Sequence, residues 1–369
     1  SVKSVINDYE ATSGVKIDLT IIPDAFESNT LTKWAAGQRP DIIFFQPSPG
    51  FLSQLNPAKN LQDLGDLPFA TETKFGLEES GSLDGTHYTA TYGFPSVFGV
   101  YYNKKVFADN GIDVPKTTAD LDAAAVALKA AGVTPFGITG GDSWTGQIGF
   151  ISAVTDTVAD GGAEAVNDGT ASFTDAPFVE AAAVNPERVS KQWVNDDYLT
   201  ALYADVPQKL QDGNFAMYPM ASWLSASFTD ASNIGFFPYP SSSGKVQWQS
   251  SNNASVQLPK TGDSAKEAAA RDFVNYLTVG DGYKALIAAS GEPSIIEGVD
   301  DPAAITPLAK AAADAFAAGG VASLDQQLLY SPSERATLLG SVLAGTLTPK
   351  EFGAQYQDAF DKLKALQGN

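Results

Sequence analysis

Residues 38–50 read QRPDIIFFQPSPG. The apolar run at 42–45 keeps no polar residue for solvent, so it predicts a strand buried on both faces, and such strands belong to parallel sheets flanked by helices. The loop that follows then lies at a carboxyl end, where open α/β sheets place their ligand sites, which makes Gln46 and Ser48 candidate contacts. Upstream, SVINDYEATSG sets Val5, Ile6 and Tyr9 on one helical face and stops at Gly14. VKIDLTII is then expected as a strand closed by Pro23, and NTLTKWAAG as a helix ended by Gly37. The opening third is therefore read as alternating helix and strand, an α/β fold class.

Downstream, Asp84-Gly85 in LDGTHYTATYGFP is a hairpin turn, and SVFGVYYN is a second buried strand. In DVPKTTADLDAAAVALKAAG, Thr117 and Asp120 form a capping box for an alanine-rich helix that Gly132 stops. TPFGITGGDSWTGQ reads as strand, glycine-rich loop and helix. From 156 to 211 the pattern is helical with breaks expected at Pro177, Pro186 and Pro207, and PYPSSSGK is the best linker by composition. Thr348, Pro349 and Glu351 announce a last helix with Phe352, Tyr356, Phe360 and Leu363 in one stripe.

Composition narrows the function. A chain of 369 residues predicts two to three domains at about 150 residues each. With 23 Lys and Arg against 43 Asp and Glu, the net charge of −20 repels a phosphate backbone, so nucleic acid is not an expected partner. The absence of cysteine and the single histidine, His87, remove thiolate chemistry and the usual multi-histidine zinc sites, so no metal or other cofactor is expected. His87 itself reads as an exposed strand residue. No apolar run reaches the roughly 18 residues that span a bilayer. The chain begins at Ser1 without a leader pattern, so an export signal, if one existed, is expected to have been removed already.

Taken in order, QRPDIIFFQ, LDGTHYTATYGFP with VYYNKKVFADNGIDVPKTTADL, KAAGVTPFGITGGDSW, LQDGNFAMYPMASW and KEAAARDFVNYLT resemble the extracellular solute-binding proteins of ABC sugar importers, the maltose-binding-protein-like family. The resemblance implies a periplasmic-binding-protein-like fold, with two α/β lobes around a ligand cleft and hinge crossings. Lobe one is then expected at 1–107 with 242–296, and lobe two at 108–241 with 297–369. It further implies a monomeric, non-enzymatic receptor, exported to the periplasm or lipid-anchored at the outer face of the membrane, that passes a carbohydrate to ABC transporter permease subunits. Two departures stand out. Family members normally start with a strand and a site loop ahead of the first helix, whereas Ser1 opens directly into that helix; and Thr118 replaces the family's tryptophan after the capping threonine.

Sugars offer flat C–H faces rimmed by hydroxyls, so their sites need aromatic platforms and planar polar groups. By the resemblance, Trp223 matches the family's stacking tryptophan and Trp144 lies on the loop of the second lobe that meets ligand. Asp142 is the expected acceptor of paired hydroxyls, with an Asx turn as its ordinary alternative. Asn252 and Asn253 fall where the family's chain re-enters lobe one, and Trp248 sits on a strand that could face either way. Glu27 with Asp24, and Tyr330 with Pro332 and Arg335, are weaker candidates, and Arg335 has a structural ion pair as its alternative. Trp34 and Trp193 read as core. Two rival readings stay open: an exported carbohydrate-active enzyme working through a carboxylate pair, and the same binding fold with a peptide or polyamine as ligand.

Overall fold

The computed structural model describes residues 1–22, 26–243 and 248–367. The chain divides into two units, the first made of Ser1–Pro95 and Ser251–Lys310, the second of Ser96–Ser250 and the residues from Ala311 onward. Asp24, and Gly244 and Lys245 of the expected linker, lie outside the described residues.

In unit 1 the Val2–Ser13 helix is capped by the Ser1 side chain, which accepts from the Ser4 N–H, and Gly14 closes it in the left-handed conformation at φ 74°. Its face of Val5, Ile6 and Tyr9 packs on Phe273 and Leu277 of the Ser264–Thr278 helix, with the Tyr9 and Phe273 rings edge to face at 5.2 Å. The Ile43–Phe44 strand forms with Ile43 buried and Phe44 half-buried, but it pairs antiparallel with Ser255–Gln257, which also pairs antiparallel with Ala90–Thr91. The parallel expectation is corrected here. An unbroken apolar run reports that both faces are covered and says nothing about strand direction. Phe44 packs with Tyr9 and Phe273 on one side, while Ile43 and Phe45 pack with Trp34, Phe51 and Leu52 on the other.

Residues 15–22 form no strand. The Ile17 N–H is taken by Glu10 Oε1 at 2.7 Å and the Val15 N–H by Ser13 Oγ, so side chains replace a ladder, and Ile21 is left 74% exposed. β-Branched composition favours a strand only where a neighbour is present to pair. The hairpin is as read: Ser82–Leu83 pairs with Thr86–His87, and Asp84 and Gly85 have φ of 51° and 74°, the two left-handed residues that a tight primed turn requires. His87 is half-buried rather than exposed, its Nδ1 lying 2.9 Å from the Glu78 carbonyl oxygen.

Unit 2 is organised on the Ser96–Asn103 strand, antiparallel to both Met217–Ala221 and Ile234–Pro238. These partners place the strand in unit 2, whereas the expected division keeps everything up to residue 107 in the first lobe. A Cβ at Gly99 would come within 2.4 Å of the Phe236 ring, so that position requires glycine for close approach. The Thr117–Asp120 capping box is formed on the Thr118–Ala130 helix. Pro177 and Pro207 begin helices rather than break them, since a first-turn N–H has no partner to lose. Pro186 lies within Ala176–Ser190, where burial of Phe178, Ala181 and Ala182 before it and Arg188 after it carries the helix through.

The last helix, Pro349–Gln367, has its predicted box: Glu351 N–H donates to Thr348 Oγ1 at 3.2 Å and Thr348 N–H to Glu351 Oε2 at 2.9 Å. Phe352, Tyr356 and Phe360 are all buried, Tyr356 meeting Phe173 at 4.6 Å and Phe352 meeting Phe150 at 5.4 Å. Among the described residues no helix is long and apolar enough to cross a membrane.

Thr348→Ala is expected to cost about 1 kcal/mol and Phe352→Ala about 3–5 kcal/mol, read from urea denaturation. In unit 1, burial pushes the Glu292 carboxyl up to about 7. A folded-state value above the unfolded one means that the folded chain binds the proton more tightly, so its contribution is full below the usual carboxylate range and is lost as pH rises toward 7. Glu292→Gln should therefore raise the urea midpoint more at pH 8 than at pH 4.5; an equal change at both would show the carboxyl to be unperturbed.

Candidate functional site

In unit 2 the site begins with the glycine pair 140 and 141. A Cβ at Gly140 would lie 2.7 Å from the Tyr198 carbonyl oxygen, and one at Gly141 2.7 Å from that of Thr200. Only glycines let this loop press against the 198–203 segment. The approach brings Asp142 to Tyr203, whose N–H donates to Asp142 Oδ2 at 2.7 Å. Asp142 therefore spends one oxygen on a distant segment instead of making an Asx turn, and Oδ1 keeps its lone pairs.

The Ser143–Gly146 turn follows and presents Trp144. Its ring lies 4.9 Å from Tyr203 at 65° and 6.4 Å from Trp223 at 50°. Trp223 stands on the Ser222–Ser227 turn, with Phe98 edge-on at 5.8 Å. Trp144, Tyr203, Trp223 and Asp142 are each half-buried, so every one keeps an accessible face. Burial pushes the Tyr203 phenol up to about 12, against hydrogen bonds with Trp223 and Ser227 that pull it down. Behind this wall, Tyr218 Oη and Thr139 Oγ1 are 2.7 Å apart, and Thr145 Oγ1 donates to the Thr139 carbonyl at 2.7 Å. Burial raises the Tyr218 phenol far above its ordinary range, so it stays neutral as a hydrogen-bonding group. Tyr203 and Tyr218 were not legible as site residues, because nothing in DDYLTALYAD or AMYPMA separates them from ordinary core tyrosines.

The other unit 2 candidates are structural. Arg335 is 6% exposed and clamps Asp325, its Nη2 at 2.7 Å from Oδ2, while Nε donates to Gln147 Oε1 at 3.0 Å. Gln147 directly follows the turn that carries Trp144, so this ion pair braces the site from behind. Tyr330 packs edge-on against Phe360 at 5.6 Å, on the last helix, and Pro332 is buried. Trp248 is 2% exposed, and Gly320 makes room for it, since a Cβ there would lie 2.8 Å from its Nε1. Its strand turns it into the core instead of toward an accessible face.

In unit 1, Gln46 is half-buried after its strand, and Ser48 is 2% exposed, its Oγ accepting from the Phe51 N–H as the cap of the Pro49–Gln54 helix. Asn252 donates from Nδ2 to Thr91 Oγ1 at 2.8 Å, and Asn253 Oδ1 accepts from Ser251 Oγ at 3.1 Å. Asn252 Oδ1, Asn253 Nδ2 and Gln257 Oε1 are buried with no hydrogen-bond partner. An unmet buried polar atom costs about 1–3 kcal/mol, and these three lie within six residues of one another. Gln257 carried no signal in the sequence. Glu27 is half-buried in the first turn of Phe26–Ala35, and Trp34 and Trp193 are core at 7% exposure each. Among the described residues no group of three or more His, Cys, Asp or Glu is placed to hold a metal ion.

Arg335→Ala should destabilise the fold by about 3–5 kcal/mol, because it leaves Asp325 buried without its partner. Chemical denaturation checks this, and a loss under 1 kcal/mol would mean that the pair is relaxed by water.

The family model for bacterial extracellular solute-binding protein matches residues 4–317. A multiple sugar-binding protein of Streptococcus mutans is 22% identical over 329 residues, covering 85% of this chain and 76% of that protein. A chitin oligosaccharide binding protein superposes with a TM-score of 0.86 at 23% identity, over 99% of this chain and 94% of its own. A sugar transporter protein of Bacillus licheniformis in complex with stachyose gives 0.79 at 21% identity, over 98% and 95%. These likenesses establish the two-lobe solute-binding fold for the chain.

Proposed function

The chain belongs to the bacterial extracellular solute-binding proteins, and from that premise we propose that it is a carbohydrate receptor, for an oligosaccharide, that delivers its cargo to ABC transporter permease subunits. The observation that carries the reading is the wall of Trp144, Tyr203 and Trp223 with Asp142 beside it. A pyranose ring can lay its C–H face on an indole while a rim hydroxyl donates to Asp142 Oδ1. Two indoles in sequence suit more than one ring. The names of the relatives, a multiple sugar-binding protein, a chitin oligosaccharide binding protein and a stachyose complex, support the same class.

Delivery by hinge closure needs contacts that the ligand gains only in the closed state. Unit 2 offers the aromatic wall and Asp142 for such contacts; in unit 1, Asn252, Asn253 and Gln257 each keep a polar atom without a partner. The receptor works as an exported monomer, in the periplasm or lipid-anchored at the outer face of the membrane. It binds its sugar without cleaving it.

Calorimetric titration with chito-oligosaccharides, raffinose and stachyose tests the reading. One series should bind and be recovered chemically intact, and Trp223→Ala should weaken it by about tenfold or more. Unchanged affinity in that variant, or hydrolysis of the glycan, would defeat the assignment.

A further inference from the structure

Two arginines of unit 2 are equally buried, at 6% exposure each, and only one has a counter-ion. Arg335 clamps Asp325. Arg188, on the inner face of the Ala176–Ser190 helix, stacks over Phe136 at 4.1 Å and donates to Tyr239 Oη at 2.8 Å and to Asn185 Oδ1 at 3.5 Å. Among the described residues no carboxylate pairs with it. A buried cation held only by neutral groups lacks the opposite charge that ordinarily offsets its desolvation.

Arg188 lies at the floor of a groove of about 390 Å³ between its own helix and Thr118–Ala130, at the small end of the range for ligand pockets. Ser152, 1% exposed, also lines the groove, and its hydroxyl is buried without a hydrogen-bond partner. A guanidinium that has no counter-ion is the group that pairs with a carboxylate.

The rim has the opposite sign. Glu180 and Glu187 stand exposed at the mouth. Asp156 accepts from Ser242 N–H at 2.9 Å, and Lys191, the one rim cation among the described residues, is held 3.8 Å from Asp122. A simple dianion would be repelled by this rim. We propose that the groove is a second small-molecule site, for a zwitterion of the amino-acid class, with its carboxylate on Arg188 and its ammonium facing Glu180 and Glu187. The site lies wholly within unit 2 and owes nothing to the aromatic wall.

Trp193 also lines the groove, so its indole N–H resonance is the reporter in the nitrogen-15-labelled full chain. Glycine, 4-aminobutyrate and L-lysine are titrated, with acetate and methylammonium as singly charged controls. At least one zwitterion should shift the Trp193 resonance saturably, about tenfold more tightly than either control, and do so equally in Trp223→Ala, which separates this result from the fate of the sugar reading. The double variant Glu180→Gln with Glu187→Gln should bring zwitterion and acetate within about threefold of each other. Its substitutions are exposed, so the fold survives even where Arg188→Gln does not. No saturable shift with any zwitterion, parity between glycine and acetate in the unmodified chain, or a rim variant that binds as before would each overturn the proposal.

Discussion

Val97 and Tyr101, on the central strand of unit 2, hold the turn that carries Trp223. The Val97 N–H donates to Ser222 Oγ at 3.1 Å, and Tyr101 Oη donates to the Ser222 carbonyl at 2.9 Å and lies 2.8 Å from Ser225 Oγ. Phe98, between them in sequence, faces the Trp223 ring. Because the strand is itself locked on both edges by antiparallel ladders, the turn has little freedom, and the aromatic wall rests on regular structure rather than on a mobile loop. The Gly140–Gly141 approach supplies the other half, bringing Asp142 and Trp144 to Tyr203 from a separate part of the chain.

What was legible in the sequence was mostly local. Capping boxes at Thr117 and Thr348, the Gly14 stop and the Asp84-Gly85 turn each depend on residues within a few positions of one another, and all four form. Strand direction was not legible, because the alternation that buries Ile43 on one face and Phe44 on the other is the same for either hand of pairing. The 15–22 segment shows the converse, a strand-forming composition whose backbone is satisfied by Glu10 and Ser13 instead.

The site divides in the same way. Asp142, Trp144 and Trp223 announce themselves as an acid and two large aromatics in glycine-marked or loop positions, and the structure brings these three together with Tyr203. Trp248 was ambiguous because a tryptophan on a strand has two faces to choose from, and Gly320 on a distant segment decides between them. Arg335 and Arg188 could not be told apart by sequence. One finds Asp325 ten residues before it and becomes a brace, while the other finds only an aromatic ring, a phenol and an amide.

The tilt of the two indoles has an optical consequence. Trp144 and Trp223, 6.4 Å apart at 50°, are close enough for their transition dipoles to couple and skewed enough for the coupling to be chiral. Of the five tryptophans, Trp34 and Trp248 are buried in the core and Trp193 shows only 7% of its surface, at the groove, so this pair holds most of the indole surface that meets solvent. The protein thus carries an exciton-coupled chromophore in its native residues, whose circular dichroism band registers the angle between the two rings without a dye, a label or an introduced cysteine.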